Sequence, residues 1–272
     1  MSSRTRTALP APLAPVLVLT GWILMVLGGL VAARLGLRAM LVVSELLLVL
    51  PALAAFLVFG VSLRDGVGLR PITSRVFLVS MALGATLWAL SLGLFELQYA
   101  VWKPPPGYLE AFRRLHDLLR PTGPLDALVS VVAIAIAPAA CEEVLFRGAV
   151  LPALVRLGAP AAAVLSSLLF GVIHLDSAGG SLSLYRVPFA VAVGLGLAAI
   201  RLRTGVLAPA IVAHATLNTI TFTAVPFAAA SEGALPDPRP LLGGTLLLAG
   251  LLGSALFYML LRDPLTPRRA GP

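Results

Sequence analysis

Ala139-Ala140-Cys141-Glu142-Glu143-Val144-Leu145-Phe146-Arg147-Gly148 puts two adjacent carboxylates and a guanidinium inside an apolar run from about Leu125 to Leu157. A run of that length and composition reads as a membrane-spanning helix. One charge at the centre of such a helix costs about 2.5–3.5 kcal/mol on insertion scales, so ionisable residues at that depth face protein or a wet cavity and mark function. On a helix Glu143 and Arg147 are four residues apart and share a face, so they can neutralise each other. Glu142 is turned by roughly 100° from its neighbour and has no partner on its own helix. It is the carboxylate left for chemistry, while Glu143 is expected to point away from it towards Arg147. The competing reading makes all three a structural ion network between helices.

Composition sets the class. The chain has 272 residues, 59% of them hydrophobic and only 12% charged, whereas a soluble domain carries about a quarter. It reads as an all-α polytopic membrane protein. The net charge of +8 falls mainly in short connections and at the ends, where arginine orients helices and meets anionic lipid. It does not indicate a nucleic-acid partner. A single cysteine, Cys141, excludes an intrachain disulfide and a cysteine-built zinc site. Beside the glutamates it reads as a small buried apolar side chain.

Eight apolar stretches follow the chain: about Leu13–Ala33, Ala39–Val61, Val76–Leu97, Leu125–Leu157, Gly158–Leu175, Leu182–Leu202, Gly205–Phe227 and Leu241–Leu261. The first is too long, and too poor in a small-x-small cleavage site, to read as a signal peptide. Between the third and fourth, Tyr108 to Arg120 sets Leu109, Phe112, Leu115, Leu118 and Leu119 against a face of Glu110, Arg113, Arg114 and Asp117. That pattern reads as an amphipathic helix in the membrane interface, over about 108–120. The expected architecture is one integral-membrane domain over 1–272, a bundle of about eight transmembrane helices with its chemistry concentrated in about 126–227. The tails Met1–Pro10 and Asp263–Pro272 read as loose. Glu45 and Glu96, near helix ends, read as snorkelling or locally paired, and His116 as a surface histidine. Eleven Lys and Arg fall on the side of the termini against eight on the other, which favours cytoplasmic termini.

Further polar residues lie at membrane depth. His174 ends Phe170-Gly171-Val172-Ile173-His174, and His214 and Asn218 are four apart in the seventh stretch, on one face. If the chain turns near Gly158, Glu142 and His174 each lie 16 residues from the turn. In an antiparallel pair they stand level, roughly 24 Å from it. Pro138, one turn before Glu142, loosens its helix, and Gly171 allows a close helix approach. Two histidines, an asparagine and a glutamate pair on three helices favour a catalytic site over packing polarity.

Glu-Glu-x-x-x-Arg, Phe-x-x-x-His and His-x-x-x-Asn, in that order on separate helices, resemble the CPBP family of CAAX proteases and bacteriocin-processing enzymes, also called Abi. These are intramembrane endopeptidases with an eight-helix core. The resemblance covers roughly Ile136 to Phe222, and all three motifs match without substitution. It implies that Glu142 and His174 polarise the attacking water. It also implies that His214 and Asn218 hold the oxyanion, with Glu143 and Arg147 supporting the site. The chemistry agrees: a carboxyl in an apolar pocket suits a general base, and imidazole and amide groups supply oxyanion donors. The implied partners are membrane lipid and a membrane-bound or lipidated peptide or protein. The Arg-rich, nearly Lys-free composition reads as bacterial, which places the chain in an inner (plasma) membrane that it crosses several times.

Two rivals stand beside this reading. Glu142, His174 and His214 also form a His₂Glu set for zinc or another divalent metal with a position open for water. The absence of His-Glu-x-x-His favours the metal-free version, with no cofactor required. The second rival is a non-enzymatic transporter or scaffold. It would spread its charges over several helices and often show two related halves, and no repeat is visible here.

Overall fold

The computed structural model describes residues 6–175, 183–224 and 237–261. Within them, counting 124–157 as one rod, the chain forms nine helices and no strand. They are α1 (Leu13–Ala32), α2 (Leu37–Phe59), α3 (Ser74–Val101), α4 (Tyr108–Leu119), α5 (Pro124–Leu157), α6 (Ala159–Val172), α7 (Val187–Thr204), α8 (Ala208–Ala224) and α9 (Pro240–Leu260). Every expected apolar stretch is one helix, and the amphipathic stretch is α4. Six helices are long and apolar enough to cross a membrane, while α6 and α8 run for 14 and 17 residues. The start of the sixth expected stretch at Leu182, the end of the seventh after Ala224, Met1–Thr5 and the Asp263–Pro272 tail lie outside the described residues.

The surface identifies the solvent. Leu30, Val31, Leu57, Val58 and Leu241 are 70% exposed or more, an outer layer that suits hydrocarbon and not water. The chain is a polytopic integral membrane protein. Burial also ranks the helices. In α9 only 11% of the apolar window is buried, against 44% in α5. Thus α9 packs on α3 at the edge, whereas α5 touches α1, α2 and α8 and forms the centre.

Two glycines set the distances that matter. A Cβ on Gly171 would lie 2.6 Å from Val191 Cγ2, so α6 meets α7 as closely as the sequence suggests. A Cβ on Gly84 would run into the Ala213 carbonyl oxygen, so α3 presses on α8 beside His214.

α5 is not a uniform helix. It widens into π turns at Val132–Ile136 and Val144–Val150. Each ends two residues before a proline, Pro138 and Pro152. A proline has no N–H to return to the preceding turn, which loosens the ladder there. Glu142 and Glu143 occupy the short α-helical piece between the two wide turns.

α4 meets α8 through the His116 and Phe222 rings, 5.7 Å apart. His116 is therefore a packing residue between helices and not a surface histidine, because its ring also lies against Phe112. On the outer face of α4, Glu110 bonds Arg113 and Arg114. The Arg114 hydrogen bond, helped by Arg113, holds the Glu110 carboxyl below its usual range. Glu96 is buried and pairs with Arg239, 143 residues away, at 2.7 Å. Its partner is thus distant in sequence, joining the end of α3 to the start of α9.

Candidate active site

The two adjacent glutamates of α5 meet the two edges of one imidazole. Oε1 of Glu143 lies 3.0 Å from Nδ1 of His214, and Oε2 of Glu142 lies 3.8 Å from Nε2 of the same ring. The first distance is a hydrogen bond; the second is too long for one. His214 and Glu142 are 4% and 7% exposed, Glu143 and Arg147 fully buried. A buried set of this kind is costly unless its charges are matched.

The matching is done by Arg147. Its Nη1 donates to Glu143 Oε1 at 3.0 Å, the pair expected from four-residue spacing. Nη2 donates to the Gly194 carbonyl of α7 at 2.7 Å, and the guanidinium carbon lies 4.7 Å from the Phe170 ring centroid. The pair is monodentate, since Arg147 Nε and Glu143 Oε2 have no hydrogen-bond partner among the described residues. Glu143 therefore does reach Arg147, but it is not directed away from the site. The oxygen that receives the arginine also receives His214.

His174 stands just beyond the end of α6. Its backbone N–H turns to the Gly171 carbonyl at 3.0 Å, while its ring Nδ1 reaches the Phe170 carbonyl at 2.8 Å. The side chain thus takes the carbonyl that the next helical N–H would have taken, and α6 stops at Val172, short of Leu175. A carbonyl only accepts, so Nδ1 carries the hydrogen and Nε2 is left as an acceptor. The Phe170 ring touches both histidines, with centroids 4.6 Å from His174 and 5.8 Å from His214. Through Phe170, α6 is joined to the α5–α8 cluster.

Asn218 lies one turn beyond His214 on α8, half-buried and on the same face by its spacing. Cys141 is a buried free thiol, as its neighbours suggest. Glu45 on α2 is not a snorkelling end residue; its Oε2 is buried without a hydrogen-bond partner among the described residues.

Residues 124–220 match the family model described as type II CAAX prenyl endopeptidase Rce1-like. That match supports the resemblance to CPBP-type intramembrane proteases over this stretch of the chain. The matched stretch runs from the start of α5 to Ile220 in α8 and carries Glu142, Glu143, Arg147, His174, His214 and Asn218. No curated protein and no solved structure matches the chain. The match indicates a peptidase, and the matched region holds the carboxylates and imidazoles of the α5–α6–α8 junction.

Proposed function

We propose that this CPBP protease hydrolyses a peptide bond of a membrane-associated or lipidated substrate, with Glu142 as the base that takes a proton from water. The observation carrying this reading is the division of labour around His214. Glu143 is engaged by Arg147 and by Nδ1, whereas Glu142 has an unpartnered oxygen facing Nε2. One carboxylate is structural and its neighbour is free to react. His174 adds an acceptor, Nε2, able to hold a hydrogen of the same water.

His214 and Asn218 are the oxyanion donors of this reading. The hydrogen bond to Glu143, whose oxygen also receives Arg147, puts the imidazole hydrogen on Nδ1. A neutral ring then shows a lone pair at Nε2 and repels an oxyanion. The donor role therefore requires the imidazolium, and its charge together with that of Arg147 is set against the two carboxylates, Glu142 and Glu143. The Asn218 amide supplies a second, neutral donor.

The reading is metal-free. Among the described residues no three His, Cys, Asp or Glu side chains gather as a metal-binding set. No step is assigned to a metal.

The substrate class follows the family: a peptide held at the membrane by a lipid or by its own helix. We place the protein in a bacterial plasma membrane with the face where α1 begins on the cytoplasmic side, on the excess of basic residues there. The test is a comparison of membrane-protein termini in cells carrying the wild type or Glu142→Ala. Protein termini that vanish in the variant are the expected result. Identical sets of termini would contradict the reading.

A further inference from the structure

α7 reaches the candidate site through its backbone. The buried Gly194 carbonyl accepts Arg147 Nη2 at 2.7 Å. The other nitrogen of the fork, Nη1, donates to the Glu143 oxygen that also receives His214. A carbonyl can reach Arg147 only where α7 comes close, and position 194 is such a place. A Cβ added to Gly194 would lie 3.1 Å from Ser167 Cβ and 3.3 Å from Phe170 Cδ1, both on α6. Contacts that tight force a shift of a few tenths of an ångström, so a residue larger than glycine holds α7 off α6. The guanidinium is not free to follow the carbonyl outward. Its carbon lies 4.7 Å from the Phe170 ring centroid, and Glu143 holds its Nη1. Glycine inside a helix is less stable than alanine, so position 194 gives up helix stability for this approach.

We propose that Gly194 is a positioning residue: by bringing its carbonyl to Arg147 it fixes the guanidinium, so that Nη1 keeps the shared Glu143 oxygen aimed at His214. Arginine suits this place because two nitrogens of one rigid plane serve two acceptors at once. A lysine ammonium on its flexible stem is a single point charge. The orientation of the imidazole is thus set from α7, through two residues of α5. This inference rests on the catalytic reading of the site given above.

The experiment measures kcat, KM and melting temperature in purified protein in lipid vesicles, with a lipidated peptide as substrate. The variants are Gly194→Ala, Arg147→Lys, the two combined, and Gly196→Ala. The last is a packing control: a Cβ there meets the end of the Leu87 side chain on α3, at 2.5 Å, on the opposite face of α7 from Gly194. Gly194→Ala is expected to lower kcat about tenfold, the equivalent of one charge-assisted hydrogen bond, with KM little changed. Gly196→Ala is expected to keep kcat. The combined variant is expected to be no slower than Arg147→Lys, because both changes break one link. Losses that multiply in the combined variant overturn the role of Gly194. So does a Gly194→Ala enzyme with wild-type kcat, or one that loses only as much as Gly196→Ala. If Gly194→Ala does not fold, Arg147→Lys decides. It keeps a charge for Glu143 and gives up the carbonyl, so wild-type kcat there also overturns the proposal. A Glu142→Gln control that still cleaves the peptide overturns the catalytic reading itself.

Discussion

Glu143 Oε1 receives His214 Nδ1 and Arg147 Nη1, each at 3.0 Å, so one oxygen ties α8 to α5. The neighbouring Glu142 is left facing the opposite edge of the imidazole. In the proposed mechanism that relationship separates the supporting carboxylate from the reactive one, although the two are adjacent in the chain.

Glu143→Gln tests the supporting role. The amide can keep one hydrogen bond but leaves the buried Arg147 charge unmatched, and losing one partner of a buried pair costs about 3–5 kcal/mol. The expected outcome is a lower melting temperature together with a lower kcat. A variant as stable as wild type would show that the pair carries no weight.

Asn218→Ala removes a donor that matters mainly in the transition state. Loss of one such donor costs about 10²–10³ in turnover. Steady-state kinetics should therefore show a fall in kcat with KM nearly constant. An unchanged kcat with raised KM would assign Asn218 to substrate binding.

The sequence showed part of this site and hid part of it, for physical reasons. Hydrophobic runs reveal helices because a span must be apolar along its whole length, so every expected stretch has its helix. Four-residue spacing reveals Glu143–Arg147 because both residues ride on one local geometry. The His214–Glu143 bond joins residues 71 apart and depends on how α8 is rotated against α5. No local pattern records that rotation. Two π turns flank the glutamates and change the phase of the helix beyond the 100° step assumed for it. Glu45 was hidden because its position near a helix start suits a snorkelling residue equally well. The prolines after each π turn were the legible signal for the irregular helix.

Phe170 is almost fully buried, and its ring meets Phe146, His174, His214 and Arg147. Phe170→Ala opens a cavity at this junction, and such a change costs about 3–5 kcal/mol. Thermal unfolding in detergent should show that loss, with proteolysis impaired through both histidines. A loss below about 1 kcal/mol would mean the ring is not the joint between α6 and α8.

Metal dependence separates the two protease chemistries. Activity is expected to survive exhaustive chelation, with no stoichiometric metal in the purified protein. Loss of activity that added zinc restores would instead assign Glu142, His174 and His214 as ligands.

The central claim is that Glu142 is the base, and Glu142→Gln tests it most directly. Glutamine keeps the shape and the hydrogen-bonding atoms but cannot take a proton from water. The measurement is kcat on a lipidated peptide in vesicles, read beside the melting temperature of the same preparation. A folded protein of near wild-type stability with no detectable turnover is the predicted result. A Glu142→Gln protein that keeps most of its proteolysis would contradict the account.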